Sequence, residues 1–231
     1  MDKVVVYAAT RNLYEATAAC ANSALQNGGI DRVVILIEDD SFPYFADDDR
    51  VSWINVSGQP WFRMDGPNAT KRWTWMVLMK AALSKIFPEL DKVLYLDSDT
   101  IVLQDISELW GLDLSGYYFA AVPQLSDGRH GAFTEGRYYN AGVLFCNLDL
   151  LRRHGWDDFL ISGINRTDYA FCEQDAINEL CGPWIYPLPG RWNTCSYTSL
   201  DFEQRIMHFA ATPYWIHTPL FELYRKYKNR V

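Results

Sequence analysis

The chain has 231 residues, and its 49% hydrophobic and 15% aromatic content suffices for the core of one α/β domain. A formal net charge of −8 argues against general affinity for nucleic acid or for anionic membranes. No stretch approaches the roughly 18 apolar residues of a membrane span. Because no signal-peptide pattern opens the sequence and the five cysteines form no Cys-x-x-Cys pair, we expect a cytoplasmic protein.

Strand-like and helix-like segments alternate through the first hundred residues. The patterns predict strands at 3–9, 32–38, 51–56 and 92–96, with helices at 13–26 and 73–86. This alternation is typical of an α/β fold with a mostly parallel sheet covered by helices.

The second half predicts further elements around one irregular segment. We expect, in chain order, a short helix ending at Trp110, strands at 117–122 and 141–148, and helices at 149–161 and 173–180. The Gly-rich, polar segment 123–139 is interpreted as a functional loop or lid. Since no composition break demands a second domain, residues 1–231 are expected to form one domain.

Two aspartates, Asp97 and Asp99, directly follow the apolar run 93–96. Side chains at i and i+2 of an extended chain point to the same side, so these carboxylates can converge where open α/β sheets bind ligands. Such oxygen ligands suit Mn²⁺ or Mg²⁺, with substrate phosphates completing the coordination shell. The pair indicates a metal–diphosphate site, with an acidic turn as the alternative.

Residues 8–14 connect the first predicted strand to the first predicted helix, and ligands often bind at such connections in α/β sheets. Thr10 offers a hydrogen bond and Tyr14 a stacking surface for a flat base, although both could instead cap and pack the helix. The segment lacks a Gly-rich phosphate fingerprint. The strongest supply of positive charge before the aspartates comes from Lys71, Arg72 and Lys80, although cations on a helix are usually solvated.

Three later features complete the candidate set. Asn140-Ala141-Gly142 opens a strand, and its glycine permits close approach of a ligand. Glu173-Gln174 begins a helix and, like Asn140, offers groups that hold sugar hydroxyls. The bland alternatives are a strand-start turn and an acidic helix N-terminus. His208 emerges from an apolar segment, where it is either a core residue or a third metal ligand.

Taken in order, these motifs resemble glycosyltransferase family 8, the retaining nucleotide-sugar transferases that include glycogenin and bacterial lipopolysaccharide galactosyl- and glucosyltransferases. Segment 90–110 matches the family block DKVLYLDSDTIV…I.ELW almost without a break, and the resemblance runs from Val4 to about Trp215. Residues 139–143 are similar to the donor-sugar turn, and residues 173–178 to the family's Asp-Gln-x-x-Leu-Asn. The resemblance implies a GT-A type fold, with a Rossmann-like, mostly parallel central sheet flanked by helices.

The same resemblance implies a retaining, metal-dependent enzyme that moves a hexose-type sugar from a UDP-sugar to a hydroxyl of a glycan, glycolipid or protein. Residues 1–100 would form the nucleotide-binding half and residues 101–220 the donor-sugar and acceptor half. The implied metal is Mn²⁺, or Mg²⁺, held by Asp97, Asp99 and His208. The implied catalytic residues are Asn140, Glu173 and Gln174. The residues implied to bind nucleotide and donor are Ala8, Thr10, Arg11, Tyr14, Lys71, Arg72, Lys80, Ser98, Ala141 and Gly142.

The sequence departs from the family pattern at two places. Glu173 replaces the usual Asp before Gln, which lengthens the side chain near the reacting centre by a methylene. The family ending HFxGxxKPW becomes HFAATPYW at 208–215, without the lysine that steadies the diphosphate leaving group. Either Lys71, Arg72 or the basic tail 225–230 replaces that lysine, or the chain is a weakened nucleotide-sugar-binding protein on the same fold.

Three further expectations follow. A sugar nucleotidyltransferase is a less favoured alternative, because it would normally carry a Gly-rich, basic phosphate loop that residues 8–14 do not provide. The basic tail 225–230 allows at most peripheral membrane contact. No carboxylate stands out as a nucleophile, so we favour attack from the leaving group's own face, with Gln174 positioning the site and segment 123–139 closing over the donor.

Overall fold

A computed structural model describes residues 2–70, 73–124, 138–195, 203–210 and 219–228. Lys71 and Arg72, most of the predicted loop 123–139, and residues 211–218 lie outside the described residues. The predictions that fall on them are not addressed by the structure.

The central element is a seven-stranded sheet with the order β10-β6-β9-β4-β1-β2-β3. Its strands are β1 (Val4–Ala9), β2 (Arg32–Ile37), β3 (Val51–Asn55), β4 (Lys92–Leu96), β6 (Phe119–Ala121), β9 (Val143–Asn147) and β10 (Ile185–Pro187). Four of its neighbouring pairs are parallel, whereas β9 runs antiparallel to both β4 and β6. The mostly parallel α/β sheet predicted from the sequence is therefore confirmed.

Two short sheets flank the central one. They pair β5 (Thr100–Val102) with β11 (Ile206–His208), and β7 (Pro123–Gln124) with β8 (Tyr138–Tyr139). Strands this short carry too few residues for a period-two pattern, so the sequence did not predict them as separate elements.

Helices cover both faces of the central sheet. They are α1 (Tyr14–Asn27), α2 (Leu83–Ile86), α3 (Leu148–His154), α4 (Trp156–Arg166), α5 (Cys172–Cys181) and α6 (Pro219–Lys228). Alternate residues of β1 enter two separate cores: Val4 and Val6 pack on one face, and Val5 and Tyr7 on the other. Burial on both faces explains why β1 and β4 are continuous apolar runs.

Two predicted helices differ from what is observed. The segment 73–86 is a 3₁₀ helix at Trp75–Ala82 followed by α2, consistent with the weak α-helical propensity of Trp75 and Val77. The predicted helix 149–161 is two helices, because Gly155 adopts φ 65° and caps α3 through bonds to Leu151 and Arg152 carbonyls.

Helix α6 lies against α1. Tyr224 and Tyr227 are buried in this contact, and Asn27 Nδ2 donates to the Tyr227 hydroxyl at 2.7 Å. Lys228 pairs with Glu15 at 3.0 Å. Among the residues that the structure describes, no helix combines the length and apolar character needed to cross a membrane.

Candidate metal and donor site

The carboxyl end of β4 brings the predicted metal ligands together. Asp97 follows β4 directly, and after a tight turn the chain enters β5, which pairs antiparallel with β11 so that His208 lies opposite Thr100. His208 Nε2 is 3.1 Å from Asp99 Oδ1 and 3.9 Å from Asp97 Oδ2. One ligand atom from each residue lies within 4.8 Å of the others. Two carboxylates and one imidazole suit Mn²⁺, so this donor set fits the predicted metal.

The charges within this cluster stabilise one another. Burial alone would lower the pKa of His208, but the neighbouring Asp99 carboxylate outweighs it and raises the pKa to about 10. Burial would raise the pKa of Asp99, and His208 and Lys80 outweigh that effect and lower it. Without a metal, His208 is therefore an imidazolium paired with a carboxylate at neutral pH.

Lys80 is buried and connects two carboxylates of the site. Its Nζ lies 2.9 Å from Asp97 Oδ1 and donates to Glu173 Oε1 at 2.7 Å. Its side chain is only 3% exposed, so a solvated surface lysine, the bland alternative, is wrong. Burial would lower the pKa of Lys80, but Asp97 and Glu173 raise it well above the usual value. Lys80 thus connects Asp97, which follows β4, to Glu173 at the beginning of α5.

Gly142 packs against the metal ligands. A Cβ at this position would overlap His208 Cε1 and stand 2.8 Å from Asp97 Oδ2. The Asp97 backbone N–H donates to the Gly142 carbonyl at 2.8 Å. Only glycine leaves room for His208 beside Asp97, which explains why the Asn-Ala-Gly turn needs this residue.

Gln174 holds the same turn from the other side. Its Oε1 accepts from the Ala141 backbone N–H at 2.9 Å, and its Nε2 donates to the Tyr138 hydroxyl at 2.8 Å. That hydroxyl in turn donates to Asp175 Oδ1 at 2.6 Å. Residues 140–142 and the first turn of α5, predicted separately, therefore form one connected unit beside the aspartates.

Ser98 connects the metal turn to β1 and α1. Its hydroxyl donates to the Ala8 carbonyl at 3.1 Å and accepts from Thr17 Oγ1 at 2.8 Å. The side chain is buried, so it orients the Asp97–Asp99 turn against β1. The predicted residues Ala8 and Ser98 are thus brought into direct contact.

The segment that follows β1 is organised by Asp39, a residue that the sequence analysis missed. Arg11 pairs with its carboxylate at 2.9 Å, and the Tyr14 hydroxyl donates to it at 3.2 Å. Bonds from Ser41 and, secondarily, from Arg11 lower the pKa of Asp39 to about 2. Tyr14 is buried with its ring against Phe42, which agrees with the packing alternative rather than with an open stacking surface. Thr10 Oγ1 donates to Asn12 Oδ1 at 2.6 Å.

A second missed residue is Asn193, which is 1% exposed. Its Oδ1 lies 2.9 Å from His208 Nδ1, and its Nδ2 donates to Asn140 Oδ1 at 2.8 Å. A single Asn in an irregular, proline-containing stretch carries no spacing signal, so sequence reasoning alone had no means of selecting it.

The model of the family described as "Glycosyl transferase family 8" matches residues 4–217. Among curated proteins, the chain is 34% identical over 143 residues to General stress protein A of Bacillus subtilis, covering 54% of this chain and 49% of that protein. It is 30% identical over 114 residues to Lipopolysaccharide 1,2-glucosyltransferase of Escherichia coli, covering 46% and 34%. The chain thus spans about half or less of the length of these relatives.

Solved structures share the fold over nearly the whole chain. The galactosyltransferase LgtC, solved in complex with donor and acceptor sugar analogs, matches with a TM-score of 0.76 at 19% identity, covering 99% of this chain and 96% of LgtC. Mouse xyloside xylosyltransferase 1 in its apo form matches with a TM-score of 0.69 at 15% identity, covering 92% and 99%. At these identities the likeness establishes the fold, which is that of GT-A glycosyltransferases.

Proposed function

Because the chain belongs to glycosyl transferase family 8, we propose that it is a retaining, metal-dependent glycosyltransferase that moves a hexose-type sugar from a UDP-sugar to a hydroxyl acceptor. The observation that carries the proposal is the cluster of Asp97, Asp99 and His208 at the carboxyl end of β4. An acidic chain needs a cation to bind a diphosphate, and this cluster offers oxygen and imidazole ligands for Mn²⁺ or Mg²⁺. A bound cation would stabilise the negative charge of the departing diphosphate.

The nucleotide is assigned to residues 1–100 and the donor sugar and acceptor to residues 101–220. Thr10 and Arg11, beside Asp39, would contact the base, while Asn140 and Gln174 would face the sugar. Glu173 is already engaged by Lys80, with its carboxylate buried. Gln174 also bonds to Ala141 and Tyr138, but it is only half-buried, so it is the residue of this pair that would face the sugar. Same-face attack remains our proposed route to retention.

An aromatic pair beside α5 supports a sugar ring as the acceptor. Trp73 is 39% exposed, and its ring lies 5.3 Å from that of Phe171. The Phe171 carbonyl accepts from the Gln174 backbone N–H at 3.0 Å, so the pair lies at the N-terminus of α5, the same end of the helix as Gln174. The apolar face of a pyranose ring can stack on such a surface. Trp73→Ala is expected to raise the acceptor KM while leaving donor hydrolysis unchanged.

The direct test is titration of the protein with a panel of UDP-sugars, with and without Mn²⁺, following both binding heat and UDP release. Asp99→Ala removes a proposed ligand, and Asp113→Ala, at an aspartate whose carboxylate caps the Ser115 backbone N–H, is the matched control. Metal-dependent release of UDP from one UDP-sugar, lost in Asp99→Ala and kept in Asp113→Ala, would support the proposal and identify the donor. Absence of metal-dependent binding in the wild-type chain would overturn it.

A catalytically weakened nucleotide-sugar-binding protein is the second candidate. It is favoured by one observation, the absence of the family's diphosphate lysine from HFAATPYW at 208–215. Metal-dependent binding of UDP with no release from any sugar, in the presence of mono- and disaccharide acceptors, would select this candidate over the enzyme.

A further inference from the structure

Asn193 contacts both the third proposed metal ligand and the donor-sugar turn. Its side chain is buried between His208, on β11, and Asn140, which precedes β9. His208 lies in the β5–β11 sheet and Asn140 in the turn between β8 and β9, and Asn193 contributes one amide atom to each of them. The family resemblance assigned no role to this residue.

The orientation of the two amides follows from a backbone donor. The Gly142 N–H donates to one side-chain atom of Asn140 at 2.9 Å, so that atom must be the acceptor oxygen, Oδ1. The Asn193 atom that lies 2.8 Å from the same oxygen must then be a donor, Nδ2. The remaining atom of the Asn193 amide, Oδ1, faces His208 and can only accept a hydrogen bond.

This chain of hydrogen bonds determines which ring nitrogen of His208 keeps its proton. Since Asn193 Oδ1 accepts at 2.9 Å, His208 Nδ1 is the donor, and Nε2 is the nitrogen turned toward Asp99 and Asp97. An imidazole that binds a metal through Nε2 needs its proton on Nδ1, and such an outer hydrogen bond fixes both tautomer and ring orientation.

We propose that Asn193 is a positioning residue that sets His208 for metal binding and couples the metal site to the donor-sugar turn through Asn140. The inference rests on the proposed function for the identity of the ligands, and it adds a residue and a linkage to it. Losing the bond to His208 should weaken metal binding, whereas losing the bond to Asn140 should weaken donor binding.

Two variants separate the effect of the bond to His208 from the effect of the bond to Asn140. Asn193→Asp keeps an oxygen acceptor for His208 Nδ1 but places a second oxygen against Asn140 Oδ1. We therefore expect Mn²⁺ affinity within about threefold of wild type and a clearly raised KM for the donor. Asn193→Leu is similar in size and removes both bonds, and its Mn²⁺ affinity should fall about 10–100-fold. The matched control is Asn68→Leu, which removes a structural asparagine of equal burial whose Nδ2 donates to the Ile164 and Thr167 carbonyls.

Metal affinity is measured by calorimetry with Mn²⁺ alone, so the result does not depend on turnover. The tautomer is read from the imidazole ¹⁵N shifts of the Mg²⁺-loaded wild-type protein, with the His208 signals identified by their loss in His208→Gln. The proposal requires a protonated Nδ1 and a metal-bound Nε2, together with weakened binding in Asn193→Leu but not in Asn68→Leu. The opposite tautomer, or unchanged Mn²⁺ affinity in folded Asn193→Leu, overturns this inference alone. A wild-type chain that binds no Mn²⁺ overturns the proposed function with it.

Discussion

Lys80 and Glu173 form a buried ion pair, with Nζ and Oε1 2.7 Å apart and both side chains almost completely removed from solvent. The same ammonium lies 2.9 Å from Asp97. One cation therefore faces two carboxylates, one on the metal turn after β4 and one on α5. The Glu in place of the family's usual Asp has the length to reach this lysine, so the substitution is accompanied by a specific contact rather than by an empty space.

Breaking this buried pair should destabilise the protein far more than breaking an exposed ion pair. Lys80→Met leaves Glu173 buried without its partner, so we expect a loss of about 3–5 kcal/mol in the free energy of unfolding. Arg63→Met is the control, because Arg63 and Asp65 form an exposed, solvent-screened pair and its removal should leave the free energy of unfolding nearly unchanged. Urea unfolding of both variants in metal-free buffer makes the comparison, and equal midpoints would contradict the assigned role of Lys80.

Gly142→Ala should damage the metal site without a charge change. The added Cβ would overlap His208 and approach Asp97 Oδ2 to 2.8 Å, so one of the two ligands must move. We expect Mn²⁺ affinity and donor turnover to fall at least about tenfold, the order of effect seen when metal ligands lose their orientation. Gly58→Ala is the matched control, since a Cβ there meets nothing within 4 Å. Normal metal affinity in Gly142→Ala, measured by calorimetry, would contradict the packing argument.

Strand β4 and the two aspartates that follow it, Asp97 and Asp99, could be predicted from the sequence because they form a local pattern. β4 covers the predicted range 92–96, since its apolar run is bounded by charged residues at both ends. The same holds for α1, which follows β1, and for β9, which ends at Asn147. Local periodicity also explains the successful prediction of a mostly parallel sheet, because crossover helices must separate parallel strands.

Contacts between distant segments could not be predicted in this way. The bonds from Asn193 to His208 and Asn140 depend on how β11 and β9 are placed, and no spacing in the chain encodes them. A lysine on a helix is usually solvated, yet tertiary packing buries Lys80. The Tyr14 ring, considered for base stacking, is enclosed by Phe42 and the segment after β2. In each case the partners lie more than ten residues apart.

The raised pKa of His208 makes metal affinity depend on pH. The folded, metal-free chain holds the His208 proton up to about pH 10, against an ordinary value of 6.5, and Mn²⁺ needs the unprotonated Nε2. Below pH 10 each metal bound must release about one proton, so the apparent Mn²⁺ affinity should rise about tenfold per pH unit between pH 6 and 8. Calorimetry in two buffers of different ionisation enthalpy counts the protons, and a count near zero would contradict the His208 assignment.

The raised pKa of His208 makes the stability of the metal-free chain fall as pH rises, whereas it makes the metal affinity increase. Since folding raises the pKa of His208, the Asp99–His208 pair stabilises the metal-free chain fully below about pH 6.5, and this contribution is lost as pH rises toward 10. We expect His208→Gln to flatten the fall of the thermal midpoint between pH 7 and 9. An unchanged slope in that variant would show that another group titrates.

Tyr14 should influence nucleotide binding through the segment that it holds. Its hydroxyl accepts from the Glu38 backbone N–H at 3.2 Å and donates to Asp39, which in turn pairs with Arg11 beside Thr10. Tyr14→Phe removes these bonds while keeping the ring against Phe42, so the donor KM is expected to rise several-fold with kcat nearly unchanged.

Tyr44→Phe is the matched control for Tyr14→Phe, because it deletes the hydroxyl of a second tyrosine packed on Phe42. Inhibition by UDP should weaken in parallel with the KM in Tyr14→Phe only. A fall in kcat with unchanged KM would instead place Tyr14 in the chemical step and contradict this role, in which the hydroxyl bonds to the turn after β2.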